Sequence, residues 1–334
     1  KRISLDNRRI VLCGFSGGAR VAGYTALQRN DLAAVISCSA GIAAETAPGF
    51  LCISTAGIKD MNYNEVEGQH RRLEQQNAKS YFFPFGGKHE WPPFTIMSSA
   101  FATVTLDAMR TGTIPKNNLY IDSLLTVLCD NGVTAGKADQ LVAAAHYGAA
   151  LKIVRGLSDT TLPAKLFNGI TGTPSFSTLK KQETEILRNE KTLQEYYAQA
   201  LANEPLIWWP QNLKGIDTIP FDYTPVARRT SAMHYRLWAY LSLMSYSYSN
   251  QALKQNNFPA ADHFINVYKI VDPRNNEWAV MLATLEMKQQ QPEKALKALR
   301  QAVQLGFKDK NRILKDAAFQ TLWSDKRLLD LFVN

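Results

Sequence analysis

Cysteine is scarce in this chain. Four occur in 334 residues, Cys13, Cys38, Cys52 and Cys129, and none belongs to a CxxC pair or a mixed Cys/His cluster. That spacing excludes zinc-ribbon and dithiol-redox chemistry, and the apolar runs around three of them favour buried free thiols. Cys13 and Cys52 would pair only if their strands were neighbours. The five histidines include no HExxH or other clustered ligand set, so a metal-dependent hydrolase is not expected and no metal or cofactor is predicted. No apolar run approaches the roughly 20 residues of a membrane span; the best candidate, LWAYLSLM at 237–244, is short and bounded by polar residues. A basic block is missing too. The net charge of +9 divides into 13 Lys+Arg against 9 Asp+Glu over residues 1–116 and 25 against 20 over the rest. Charge spread in this way describes a solvated surface, and nucleic acid is not an expected partner. The chain opens on Lys1, with neither an initiator methionine nor a signal-peptide pattern, and is expected to be the remainder of a longer product.

What is present is the composition of a folded protein, 46% hydrophobic and 20% charged, with length for two or three domains. Over the first hundred residues, short apolar runs alternate with helical stretches, the pattern of a mostly parallel sheet with covering helices. Four strands are predicted, over 8–15, 33–40, 49–57 and 80–87, each rich in β-branched or aromatic residues. Helices are predicted over GARVAGYTALQR, YNEVEGQHRRLEQQN and 94–112, the last stopped by the Gly112 to Pro115 stretch. From about residue 120 helical periodicity takes over, with a long helix in 177–205 and a loop-rich joint over 210–225.

GFSGG, residues 14–18, satisfies GxSxG between an apolar strand and the small-residue helix ARVAGYTA. Such a turn has to push the Ser16 hydroxyl out of the sheet top, with Gly14 and Gly18 leaving room for the crossing. A serine hydroxyl is a weak nucleophile until a base takes its proton, and that base is usually a histidine held by a carboxylate. Of the five histidines only His89, in FGGKHEWPP, lies in a loop just past a strand of the alternating region; Asp60, in CISTAGIKDMNYNEV, follows the third strand. The chain order is then nucleophile, acid, histidine. The Gly17 N–H, directly after Ser16, is the candidate oxyanion donor, and Phe15 and Trp91 are candidate site walls. The two tryptophans of IWWP, 207–210, would suit an apolar or sugar-binding surface, but packing within a helical domain is the favoured reading.

DNRRIVLCGFSGGAR, GIKDMNYNEV and FGGKHEWPP, in that order, resemble the C-terminal half of bacterial α/β-hydrolases of the esterase and polyhydroxyalkanoate-depolymerase-like group. The resemblance covers about residues 1 to 112 and maps the family's triad onto Ser16, Asp60 and His89. It implies acyl-ester hydrolysis, with peptides as a second substrate class, a small or polymeric ester substrate, and a bacterial periplasmic or cell-envelope location over a cytoplasmic one. It also implies that the four strands are the fifth to eighth of the fold. The first half of the sheet, with the loop that carries the second oxyanion donor, is then expected ahead of Lys1, since 8–15 would otherwise be an apolar edge.

The last hundred-odd residues carry an internal match. NNFPAADHFINVYKIVDP aligns with QQQPEKALKALRQAVQLGF, placing Ala261 over Ala295 and Ile265 over Leu299, 34 residues apart. This period resembles tetratricopeptide repeats, where a small residue lets two antiparallel helices approach closely. Pro273 fits that family's proline, though Phe307 stands at the equivalent place in the next unit, and NRILKDAAFQTLWSDKRLLDLF is expected to act as a cap. A plain helical bundle is the alternative.

The expected fold is therefore a partial α/β-hydrolase over 1–113, a helical region with the loop-rich joint over 114–230, and tetratricopeptide-like repeats with a cap over 231–334. The expected function is a serine hydrolase whose repeats bind a protein partner. The alternative is a non-catalytic scaffold in which only the repeats act.

Overall fold

The computed structural model describes residues 6–213, 216 and 225–332, so most of the expected joint over 210–225 lies outside the described residues. In chain order the elements run β1 (Val11–Phe15), α1 (Gly17–Leu27), β2 (Ala34–Cys38), β3 (Leu51–Gly57), α2 (Tyr63–Gln75), β4 (Ser80–Phe85), α3 (Phe94–Arg110), α4 (Asn118–Gly136), α5 (Gln140–Val154), α6 (Thr161–Thr171) and α7 (Pro174–Asn203). They continue through α8 (Trp209–Asn212), α9 (Pro225–Lys254), α10 (Phe258–Val271), α11 (Glu277–Lys288), α12 (Pro292–Gln304), α13 (Lys310–Lys315) and α14 (Lys326–Asp330). The chain divides into two compact units, Lys1–Asn189 with Phe221–Arg236, and Glu190–Pro220 with Leu237–Asn334.

The first unit is mixed α/β. Its strands form one parallel sheet in the order β1-β2-β3-β4, with Val11 opposite Ala34, Ile36 opposite Ile53 and Ile53 opposite Tyr81. Every residue of β2, β3 and β4 is buried, as a parallel sheet covered on both faces requires. Ala26 of α1 and Leu73 of α2 pack on Val35 and Cys52 at one face. At the other face Ile36, Ile53 and Phe83 meet Ala100 of α3, Leu125 of α4 and Ile153 of α5. The segment between β2 and β3 has no helix among the described residues, yet its Ile42, Ala44 and Phe50 are buried in the first of these cores.

The two sheet edges differ. At β4, Pro84 has no N–H to lose from a ladder. Its carbonyl accepts from His146 Nε2 at 2.9 Å, and Ser80 O accepts from Lys152 Nζ at 2.7 Å, so α5 caps that edge. Burial pushes the His146 imidazole down to about 4, although the Pro84 carbonyl pulls the other way, so the ring donates in its neutral form. At β1 no strand pairs with the outer edge among the described residues. Cys13 is exposed, Val11 and Leu12 are half-buried, and Val21 and Tyr24 of α1 are 66% and 71% exposed. Phe101 of α3, 49% exposed, lines a hollow with Val11 on the other layer.

All four cysteines are free, and β2 lies between the strands of Cys13 and Cys52, which are therefore not neighbours. Cys13 departs from the buried-thiol expectation because the open edge leaves it uncovered.

The second unit is helical. Ser242 Oγ donates to Asp272 Oδ2 at 2.8 Å, Trp238 Nε1 donates to Val271 O at 3.1 Å, and Tyr248 stacks on Phe264, which joins the later part of α9 to α10. Helices α10, α11 and α12 share a core in which Ala261, Ile265, Ala295 and Leu299 are all buried. Small residues at 261 and 295 let facing helices approach closely without a void. Ile313, Phe319, Leu322 and Leu328, from the segment expected as a cap, close that core. Trp209 of IWWP is fully buried and stacks on Tyr197, so it serves packing.

The thiols give a direct check. A hydrogen bond from Cys38 lowers Cys13 to about 7, burial pushes Cys52 up to about 12, and burial raises Cys129. Iodoacetamide is expected to alkylate Cys13 with a rate midpoint near pH 7, leaving the three buried thiols unreacted until the chain unfolds. Peptide mass mapping reads the result.

Candidate active site

The site stands at the carboxyl ends of three parallel strands, where the loops of an open α/β sheet converge. The chain passes from β1 into α1 through Ser16, whose φ of 53° and ψ of −119° are rare for a residue with a side chain. Strain of this kind costs about 1–3 kcal/mol and persists only where its surroundings impose it. Here the imposing feature is Gly14. A Cβ at Gly14 would lie 2.3 Å from Gly18 O and 2.6 Å from Ala19 N, whereas a Cβ at Gly18 would meet nothing within 4 Å. The sequence expectation gave both glycines the same duty. In fact one supplies the space, and the other supplies the backbone that needs it. Ser16 N–H donates to Cys38 O at 2.8 Å and Ser16 O accepts from Arg20 N–H at 3.1 Å, which pins the turn from both sides.

Asp60 follows β3 in a loop stapled to the loop after β4. Ile58 N–H donates to Phe85 O and Lys59 N–H to Gly87 O, each at 2.9 Å, extending the β3–β4 ladder past the strands. Gly57 is required at this crossing, since a Cβ there would come within 2.4 Å of Gly87 O. Asp60 is fully buried. Its Oδ1 accepts from Asn62 N–H at 2.9 Å, while Asn62 Nδ2 donates to Ser39 O at 2.7 Å and ties this loop to the end of β2.

The three polar residues singled out in the sequence lie together. His89 Nδ1 is 2.9 Å from Asp60 Oδ1, and His89 Nε2 is 2.9 Å from Ser16 Oγ. A carboxylate only accepts, so Nδ1 carries the proton and donates, which leaves Nε2 as acceptor for the serine O–H. Asp60 Oδ2 is buried with no hydrogen-bond partner among the described residues. A buried carboxylate is costly unless it is hydrogen-bonded, which ties Asp60 to the His89 N–H. Phe15 lies with its ring centroid 4.8 Å from that of His89 and stacks on Trp91 at 5.3 Å. Trp91 is 57% exposed, so it forms a rim beside the histidine. Gly17 begins α1, where first-turn N–H groups have no intrahelical acceptor and the helix dipole favours negative charge.

No family model matches the chain, and no curated protein or solved structure matches it. Its chemistry therefore has to be argued from its own side chains. Among the described residues no cluster of three His, Cys, Asp or Glu side chains is placed to hold a metal ion, and no helix is long and apolar enough to cross a membrane.

Several contributors were not singled out in the sequence. Glu65 accepts both guanidinium nitrogens of Arg20 at 2.8 Å and the Gly41 N–H at 3.0 Å, joining α1, α2 and the segment after β2 around the site. Hydrogen bonding to Arg20 and Gly41 holds the Glu65 carboxyl below its ordinary value against the opposing effect of burial. Gly57, Asn62 and Glu65 lie within GIKDMNYNEV, but they act through partners distant in sequence, so nothing local assigns them these roles.

The asymmetry of the glycines is testable in urea unfolding of the first unit. Gly14→Ala is expected to lower stability by about 1–3 kcal/mol through overpacking. Gly18→Ala is expected to leave it unchanged or raise it by up to about 1 kcal/mol, because alanine suits a helix better than glycine.

Proposed function

We propose that this protein is a serine hydrolase that cleaves acyl esters through Ser16, His89 and Asp60. The observation that carries the reading is the continuous relay from Ser16 Oγ to His89 Nε2 at 2.9 Å and from His89 Nδ1 to Asp60 Oδ1 at 2.9 Å, with the serine on a strained strand-to-helix turn. In this reading His89 takes the Ser16 proton as the hydroxyl oxygen attacks the ester carbonyl carbon. Asp60 holds the imidazole in the productive tautomer and stabilises its cation. Collapse of the tetrahedral intermediate expels the alkoxide, which His89 protonates, and an acyl group is left on Ser16. Water, deprotonated by His89, then releases the carboxylic acid and restores the serine. The Gly17 N–H would face the developing oxyanion, where one donor is worth about 3 kcal/mol in the transition state.

We further propose that the parallel sheet corresponds to the last four strands of an α/β-hydrolase and that further strands lie beside β1. The open edge and the apolar side chains of α1 and α3 along it support this. The second oxyanion donor would come from that side. The helices of the second unit are proposed to be tetratricopeptide-like and to bind a protein partner, which the shared burial of Ala261 with Ala295 and Ile265 with Leu299 supports. The rival reading is a non-catalytic scaffold in which only the helices of the second unit act.

Hydrolysis of p-nitrophenyl butyrate by the full-length protein separates the two. Ser16→Ala, His89→Gln and Asp60→Asn are each expected to lower kcat by about 10⁴-fold, and the double variants to fall no further, since the three act as a unit. Equal turnover by wild type and Ser16→Ala would reject the enzyme.

A further inference from the structure

The loops that carry Asp60 and His89 are held by more than the sheet. Both touch the same point of α9. Arg236 is fully buried, and its Nη1 donates to Ile58 O at 2.6 Å, two residues before Asp60. Its guanidinium carbon lies 5.2 Å from the ring centroid of Tyr63, three residues after Asp60. The Tyr63 N–H in turn donates to Asp60 O at 2.8 Å. The adjacent Tyr235 receives the Lys88 ammonium 5.1 Å from its ring centroid, one residue before His89. Arg236 therefore brackets the acid from both sides, while its neighbour contacts the histidine loop.

A buried guanidinium is costly unless its donors are satisfied, and its rigid fork tolerates little displacement of those partners. A carbonyl held at 2.6 Å by such a group is restrained more firmly than one bonded to a neutral donor. The restraint falls on Ile58, whose own N–H is fixed to Phe85 O. The Ile58 peptide is thus gripped from two directions, and the position of the Asp60 carboxyl follows from it.

We propose that Arg236 is a positioning residue for the triad: it fixes the 58–63 loop so that Asp60 Oδ1 stays in line with His89 Nδ1. The catalytic consequence rests on the serine-hydrolase reading, but the geometric one does not. A helix far along the chain thereby sets the tautomer and orientation of the general base, although Arg236 itself touches no reacting atom.

The experiment is run on the full-length protein with Arg236→Gln, with Arg236→Lys in case the glutamine variant fails to fold, and with Arg229→Gln as a control. Arg229 is equally buried on α9 but pairs with Asp139 and Glu183. The first readout is the low-field proton resonance of His89 Nδ1–H, assigned by its loss in His89→Gln. The second is kcat and KM for p-nitrophenyl butyrate. In the Arg236 variants the resonance is expected to broaden and move upfield, with kcat lower by about 10- to 100-fold and KM unchanged, as for a displaced catalytic group. Arg229→Gln is expected to lower stability without moving the resonance. An unchanged resonance in both Arg236 variants, or an equal shift in Arg229→Gln, would overturn the proposal. If the wild type shows the resonance but hydrolyses no ester, the resonance alone decides the positioning role, and only the serine-hydrolase reading falls.

Discussion

The contact on which the site depends is the approach of Gly14 to the Gly18 carbonyl, close enough that a Cβ at position 14 would sit 2.3 Å from that oxygen. Because strand and helix cross so tightly, Ser16 at the middle of the turn takes a positive φ, and its side chain is lifted clear of the sheet. Ser16 meets that constraint at a cost in backbone strain. The hydrogen bonds from Ser16 N–H to Cys38 O and from Arg20 N–H to Ser16 O keep the strained turn from relaxing. A serine in an ordinary turn would not be presented to a base on a different strand end.

The other two groups reach Ser16 because the ladder between β3 and β4 continues beyond both strands. Ile58 to Phe85 and Lys59 to Gly87 hold the acid and histidine loops together, and Gly57 lets them cross. Residues from outside the sheet complete the frame: Asn62 reaches Ser39, Glu65 reaches Gly41 and Arg20, and Arg236 reaches Ile58. A parallel sheet suits this arrangement, since all its carboxyl ends lie on one side and three strand ends deliver three side chains to one place.

The sheet and the meeting of Ser16, Asp60 and His89 were legible in the sequence, and the physical reason is locality. Each strand is a short β-branched or aromatic run between turn residues, and Ser16, Asp60 and His89 each follow such a run directly. What was not legible depends on distance. Helix α5, QLVAAAHYGAALKIV, buries residues all round, so its sequence gives no single face by which to assign it to β4. Arg236 looks like a surface charge beside Tyr235, and its role appears only when it meets a carbonyl 178 residues earlier in the chain. Gly14 and Gly18 look equivalent within GFSGG and differ only once the crossing is built. Cys13 resembles its buried counterparts on β2 and β3 until the sheet order leaves β1 at an open edge.

If Ser16 is a nucleophile activated by His89, a fluorophosphonate probe will capture it. Treated with the probe and digested, the full-length protein is expected to yield one phosphonylated peptide, modified at Ser16. Labelling should fall steeply in His89→Gln and vanish in Ser16→Ala. No adduct on the folded wild type, or an adduct on another serine that survives in Ser16→Ala, would show that Ser16 is not the nucleophile.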